Sequence, residues 1–212
     1  MTRPLLYFAH GWSYDQSFWQ PVIKNLAEFS CHYEEAGYFG ASPSCKLPQS
    51  PYIAIGHSAG VMNLLKRDLS RCVGLISFNG FARFSSDISY PEGITARVLE
   101  RMMTKLSQNP EDVISSFRRL CGEDPPALPA HFNQERLIAG LQHLIDEDAR
   151  LSLLGWDKLL VNIVGSTDPL LPSQKGLQHP CSLQEIWQGG HLLPQTHSTR
   201  AARLIRDIAN DL

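Results

Sequence analysis

The stretch YIAIGHSAGV, residues 52–61, changes character halfway along. Tyr52 to Ile55 is an apolar run of strand length, and the residues from Ala59 onward suit a helix. Ser58 stands at the junction in the pattern G-x-S-x-G, between Gly56 and Gly60. A serine at the tip of a sharp strand-to-helix turn exposes its hydroxyl above the sheet, near the positive end of the helix. The two glycines remove side chains that would collide as the helix folds back on the strand. Five residues of pattern recur by chance, but a strand before and a helix after supply the context the chemistry needs. Ser58 is therefore a candidate nucleophile, and it requires a base, an acid and an oxyanion site elsewhere in the chain.

Runs of strand length recur at 5–9, 53–55, 73–78, 159–164 and 183–187, with a weaker one at 30–34. Several are continuous rather than alternating, as expected of strands covered on both faces. Helical patterns fall between them at 18–28, 59–69, 173–177 and 199–212. The alternation predicts an α/β fold, a mostly parallel sheet with helices on both faces. From 83 to 150 no strand is evident. Helical stretches at 94–106, 111–120 and 134–148 replace it, punctuated by Pro110 and by EDPPALPAHF at 123–132. The second stretch is amphipathic, with Val113, Ile114, Phe117 and Leu120 on one face and Arg118 and Arg119 elsewhere. We expect a core of residues 1–82 and 151–212 and a helical lid at 83–150, laid over the edge where open α/β sheets bind ligands.

Eight histidines compete for the role of base. His191 is singled out because QGGHLLP, residues 188–194, follows the last strand and precedes the last helix. Gly189 and Gly190 let that loop bring the imidazole over the turn at Ser58. The acid must fix the imidazole tautomer and stabilise its positive charge. Asp168 lies in NIVGSTDPLLP, residues 162–172, in the turn after its own strand. The tetrahedral intermediate needs two donors. One is the backbone N–H of Ala59. The other is the N–H of Trp12, in a His10-Gly11-Trp12 loop directly after the first strand.

Composition restricts the function classes. The 212 residues are 43% hydrophobic and 19% charged, with a net charge of −2 and no long run of either sign. That balance argues against wholesale nucleic-acid or membrane binding. No stretch approaches the roughly 18 apolar residues of a membrane span. The apolar run at the start is too short for a signal peptide, so a cytoplasmic monomer is expected. The five cysteines (Cys31, Cys45, Cys72, Cys121 and Cys181) are scattered without CxxC spacing. They indicate neither a disulfide frame nor a zinc site, and Cys31, Cys72 and Cys181 read as small core residues. No metal or organic cofactor is called for.

In order, FAHGW, GHSAG, GSTDPLLP and GGHLLP resemble the α/β-hydrolase superfamily over almost the whole chain. The order Ser58, Asp168, His191 is the one that superfamily uses. A narrower resemblance is to the biotin-pathway esterases that demethylate pimeloyl-carrier-protein methyl ester. It is carried by HGWSYDQSFWQPV (10–22), by YEEAGYFGASP (33–43), by residues 78–120, and by LIAGLQHLIDEDARLSLLGW (137–156). The chain departs from those esterases at His57, where they often carry tryptophan, and in a compressed segment between Gly40 and Pro51. The resemblance implies an acyl substrate carried on an acyl carrier protein and an apolar channel under the lid. Candidate walls are Trp12, Phe78, Phe81, Phe84, Phe117 and Leu192. It also implies a basic patch for the acidic carrier, with Arg97, Arg101, Arg118, Arg119 and Arg136 as candidates. A general short-chain carboxylesterase or thioesterase, a lyase or haloperoxidase on the same triad, and a non-catalytic binding module on the same scaffold remain open.

Overall fold

Continuous runs of β-branched and aromatic residues suit strands buried on both faces. In the computed structural model, which describes residues 3–180 and 182–212, these runs form one parallel sheet. Its strands are β1 (Leu5–Ala9), β2 (Cys31–Tyr33), β3 (Tyr52–His57), β4 (Cys72–Phe78), β5 (Leu159–Gly165) and β6 (Leu183–Trp187). They lie in the order β2-β1-β3-β4-β5-β6. β3 is buried along its whole length, whereas β6 at one edge exposes Leu183 and Ile186. Trp19, Phe78 and Trp187 stack edge-to-face through the core, at centroid separations of 6.2 and 5.9 Å.

The helices are α1 (Gln20–Ile23), α2 (Ala59–Leu65), α3 (Ala96–Leu106), α4 (Pro110–Cys121), α5 (Gln134–Asp146), α6 (Arg150–Leu154), α7 (Leu171–Gln174), α8 (Leu193–Thr196) and α9 (Ser198–Asp211). The chain runs from β1 out to β2, then returns past β1 and builds β3 to β6 in the other direction. Right-handed crossovers travelling in opposite directions place their helices on opposite faces, here α1 and α2. The reversal also opens a crevice at the carboxyl ends of β1 and β3. Between β4 and β5, α3 packs on both α4 and α5. Among the described residues, no helix is long and apolar enough to cross a membrane.

Several local expectations shift. The pattern at 18–28 becomes a 3-10 turn at Gln16–Trp19, capped by the Asp15 carboxylate, followed by the four residues of α1. The Asn25 amide donates back to the Pro21 carbonyl, and the Leu26 N–H bonds to Ile23, which tightens the chain out of the α geometry. α2 stops at Leu65 rather than 69, where Arg67 turns to meet Glu34 and the Tyr7 hydroxyl. α7 occupies 171–174 instead of 173–177, ahead of Gly176 at φ +60°. α6 is an additional short helix. Cys72 is buried and Cys31 is packed against the core, while Cys181 lies outside the described residues.

One close approach in this frame involves no side chain. A Cβ at Gly60 would sit 2.5 Å from the Ala9 carbonyl oxygen and 2.6 Å from that of His10. Gly60→Ala is expected to destabilise the fold by about 1–3 kcal/mol, because backbone cannot move aside as a flexible side chain can. Urea unfolding reads this as a lower midpoint at unchanged slope. At Gly155 the nearest atom is 3.7 Å from the same virtual Cβ, so Gly155→Ala is expected to leave the midpoint almost unmoved.

Candidate active site

β3 ends and α2 begins at Ser58, which is held at φ 53°, ψ −125°. A positive φ is uncommon for a residue with a Cβ and stores strain that the surroundings must enforce. The Ser58 N–H donates to the Phe78 carbonyl at the end of β4, 3.1 Å away. Ala59 opens α2, so its N–H is one of the first-turn donors that no helical carbonyl can accept. A Cβ on Gly11 would lie 3.1 Å from that of Ser58, which places the loop after β1 directly beside the serine.

Asp168 and His191 meet across two loops. The Asp168 Oδ2 accepts from His191 Nδ1 at 2.8 Å, and both side chains are buried. Asp168 Oδ1 accepts the Leu170 N–H at 2.8 Å, which fixes the carboxylate plane. With Nδ1 protonated toward the carboxylate, Nε2 is the basic nitrogen of His191.

The backbone carbonyl of His191 is gripped as well. It accepts from His57 Nε2 at 2.9 Å and from Asn79 Nδ2 at 2.8 Å. Asn79 also donates to the Gly190 carbonyl at 3.0 Å, and its Oδ1 accepts the Gly165 N–H at 2.7 Å. One amide therefore ties the ends of β4 and β5 to the loop that carries His191. Sequence reasoning missed Asn79, although it directly follows β4 as the other site residues follow their strands. His57 is fully buried, stacked on Phe18 at 4.4 Å and 4.7 Å from the His191 ring. Burial first, then the neighbouring His191, holds its pKa well below the ordinary histidine value, so His57 is neutral.

The loop after β1 is pinned from both sides. His10 Nε2 accepts the Ala36 N–H at 3.2 Å, which leaves Nδ1 to donate to the Gly11 carbonyl at 2.9 Å. The Trp12 indole donates to the Leu137 carbonyl on α5 at 2.9 Å and meets Phe117 of α4 edge-to-face at 4.9 Å. Trp12, Ser58, Ala59, Phe81, Phe84 and Phe117 line an apolar cavity of about 110 Å³, together with residues of α3, α5 and Leu170. Val98 and Leu120, both partly exposed, stand at its rim between α3 and α4.

Three expected roles are not met by position. Phe78 packs against Trp19 and Trp187 in the core and does not reach the cavity. Leu192 is buried where its carbonyl begins α8, also away from the cavity wall. Arg118 belongs to no surface patch. It is buried, and its guanidinium donates to the Ser13 and Ala127 carbonyls and lies over the Tyr14 and Phe39 rings. Arg97, Arg101, Arg119 and Arg136 are exposed on α3, α4 and α5.

Neutral His57 gives stability a pH dependence of definite sign. The unfolded chain binds a proton at this residue below about pH 6.5, and the folded chain does not. Its contribution is complete above that value and is eroded as pH falls toward the depressed folded value, at up to about 1.4 kcal/mol per pH unit. His57→Phe keeps a ring against Phe18 and removes the proton site. Urea unfolding between about pH 7.5 and 5.5 is expected to show a shallower loss of stability in the variant. Parallel slopes would mean that the folded protein protonates His57.

No family model matches the sequence. The biotin biosynthesis bifunctional protein BioHC of Cellvibrio japonicus is 23% identical, over 100% of this chain and 49% of its own length. The chain thus spans about half of that protein. The pimeloyl-[acyl-carrier protein] methyl ester esterase of Legionella pneumophila is 26% identical, over 81% of this chain and 78% of its own length. Among solved structures, an esterase (EaEST) from Exiguobacterium antarcticum superposes with a TM-score of 0.82 at 16% identity, covering 98% of this chain and 92% of that one. The chain has the α/β-hydrolase fold, and its sequence resembles the pimeloyl-[acyl-carrier protein] methyl ester esterases.

Proposed function

We propose that the chain is a serine carboxylesterase whose substrate is a methyl ester of pimeloyl-[acyl-carrier protein]. The observation that carries the chemistry is the buried Asp168–His191 pair, 2.8 Å apart and anchored through His57, the residue before the elbow serine. His191 Nε2 takes the proton of Ser58 as its hydroxyl attacks the ester carbonyl. The N–H groups of Trp12 and Ala59 receive the developing oxyanion. The tetrahedral intermediate collapses, His191 returns the proton to the departing alcohol, and water then hydrolyses the acyl-enzyme with His191 as base. The Asp168 carboxylate holds the ring and stabilises the imidazolium.

The carrier-bound substrate finds support at the rim. An acyl chain in the apolar cavity leaves between α3 and α4, where Met102, Phe117 and Leu120 continue into an outer groove that also holds Lys105 and Asp112. Arg97 and Arg101 of α3 and Arg119 of α4 are exposed on the two helices that flank that exit and suit an acidic partner, despite the slightly negative whole chain. We read residues 83–150 as the lid. At about 110 Å³ the cavity is smaller than the roughly 300–1,000 Å³ of ordinary ligand sites, so a long chain requires α3 and α4 to part. The same small volume favours the second reading, a general short-chain carboxylesterase or thioesterase.

Ser58→Ala is expected to lower ester turnover by at least about 10³-fold and to abolish fluorophosphonate labelling without moving the urea midpoint. Turnover near that of the parent would sink the assignment, and a parent that is never labelled would favour a non-catalytic scaffold. To separate the two substrate readings, Arg97, Arg101 and Arg119 are changed together to glutamate. Activity toward the carrier-bound methyl ester is expected to drop about tenfold or more at low salt, with p-nitrophenyl acetate hydrolysis unchanged. Equal activity on the carrier-bound ester before and after the change would favour the general esterase.

A further inference from the structure

Trp12 and Ser13 leave the core strand β1 but are held by the helices that cross above them. The Trp12 indole bonds to Leu137 of α5 and abuts Phe117 of α4. The next residue, Ser13, is wholly buried at φ 65°, a second left-handed residue that is not glycine. Its carbonyl receives both Nε, at 3.0 Å, and Nη2 of Arg118. The guanidinium is sandwiched between the Tyr14 and Phe39 rings, at 4.8 and 5.3 Å, with the Glu123 carboxylate 4.0 Å away. Tyr14 in turn meets the Phe18 ring at a tilt and the His57 ring edge-to-face. A strained, buried peptide of this kind persists only while something over-determines it. The group that does so is on α4, in the helical block, not in the sheet.

We propose that Arg118 is a positioning residue: by fastening the Ser13 carbonyl to α4, it holds the loop that aims the Trp12 N–H, two peptide units upstream, at the oxyanion, and makes that donor depend on the seating of the helical block. This rests on the esterase reading for its catalytic consequence, not for the contact itself. When α3 and α4 part to admit substrate, the grip on Ser13 loosens; when they close, the oxyanion site reassembles around the bound ester. The block thus governs the chemical step as well as access. Lysine cannot replace the residue fully, because a single ammonium offers no planar fork for a carbonyl and cannot fill the space between two rings in the same way.

Two measurements on Arg118→Met and Arg118→Lys test the idea. The first is amide hydrogen exchange by mass spectrometry, which needs no activity. Residues 10–18 are expected to exchange faster in both variants, while β3 and α2 keep the rate of the parent. The second is p-nitrophenyl acetate hydrolysis. A large drop in kcat, about 10- to 100-fold, is expected with KM within about threefold, since one oxyanion donor is worth about 10²–10³ in rate. Lysine is expected to restore part of the loss. Unchanged exchange at 10–18 in a folded variant overturns the proposal. So does faster exchange with unchanged kcat, which would confine Arg118 to a packing role. If methionine prevents folding, the lysine variant, which keeps the charge and most of the stem, decides both measurements. A parent with no ester turnover would overturn the esterase reading and leave the exchange result to judge the contact alone.

Discussion

The approach of α2 to the end of β1 sets the rest of the site. The helix can pass over the Ala9 and His10 carbonyls only because Gly60 has no side chain, and it can leave β3 sharply only because Gly56 has none beside Val61. That closeness forces Ser58 into its left-handed conformation and brings Gly11 up against it. The serine and the loop that carries Trp12 are therefore placed by one packing event at the point where strand order reverses. Neither could be moved independently by a small change in sequence.

A second constraint lies on the far side of Ser58. The loop bearing His191 is held by its main chain, not only by the ring. His57 and Asn79 together supply two donors to one carbonyl, and Asn79 fixes the end of β5 in the same bond set. A buried polar group left without its partner costs about 1–3 kcal/mol, so alternative loop arrangements are disfavoured by several such groups at once. Electrostatics point the same way. Burial keeps His57 neutral, so no second full positive charge competes with the imidazolium that the proposed chemistry forms at His191.

How much of this was legible in the sequence depended on which interactions leave a linear trace. Strands covered on both faces write continuous apolar runs, and Ser58 and Asp168 each stand just past such a run, with His191 in the loop after the edge strand β6, so the frame and the Asp168–His191 contact could be read from position. Asn79 also stands past a strand. Asparagine after a strand is what any turn would contain, however, and the Gly165 and His191 partners are remote in sequence. Arg118 was misread by its charge. It lies four residues after Ile114 and three before Cys121, both buried, so helical spacing already put it on the inward face. The rings of Tyr14 and Phe39 that make the burial tolerable come from distant loops. The helix expected at 18–28 had the right spacing, but Asn25 offered the backbone a competing bond.

The exposed edge strand β6 bears on the site in a further way. An unpaired edge carrying Leu183 and Ile186 at its surface is a template on which another extended chain could align. Glu185 sits between them, bonded to the Trp187 indole and to Arg200, whose guanidinium covers the Trp187 ring at 4.0 Å. A strand arriving there would have to strip water from that pair, which discourages growth of the sheet. The loop holding His191 is mounted directly on the end of this strand. The shielding of an apolar margin and the steadiness of the candidate base are thus properties of the same five residues.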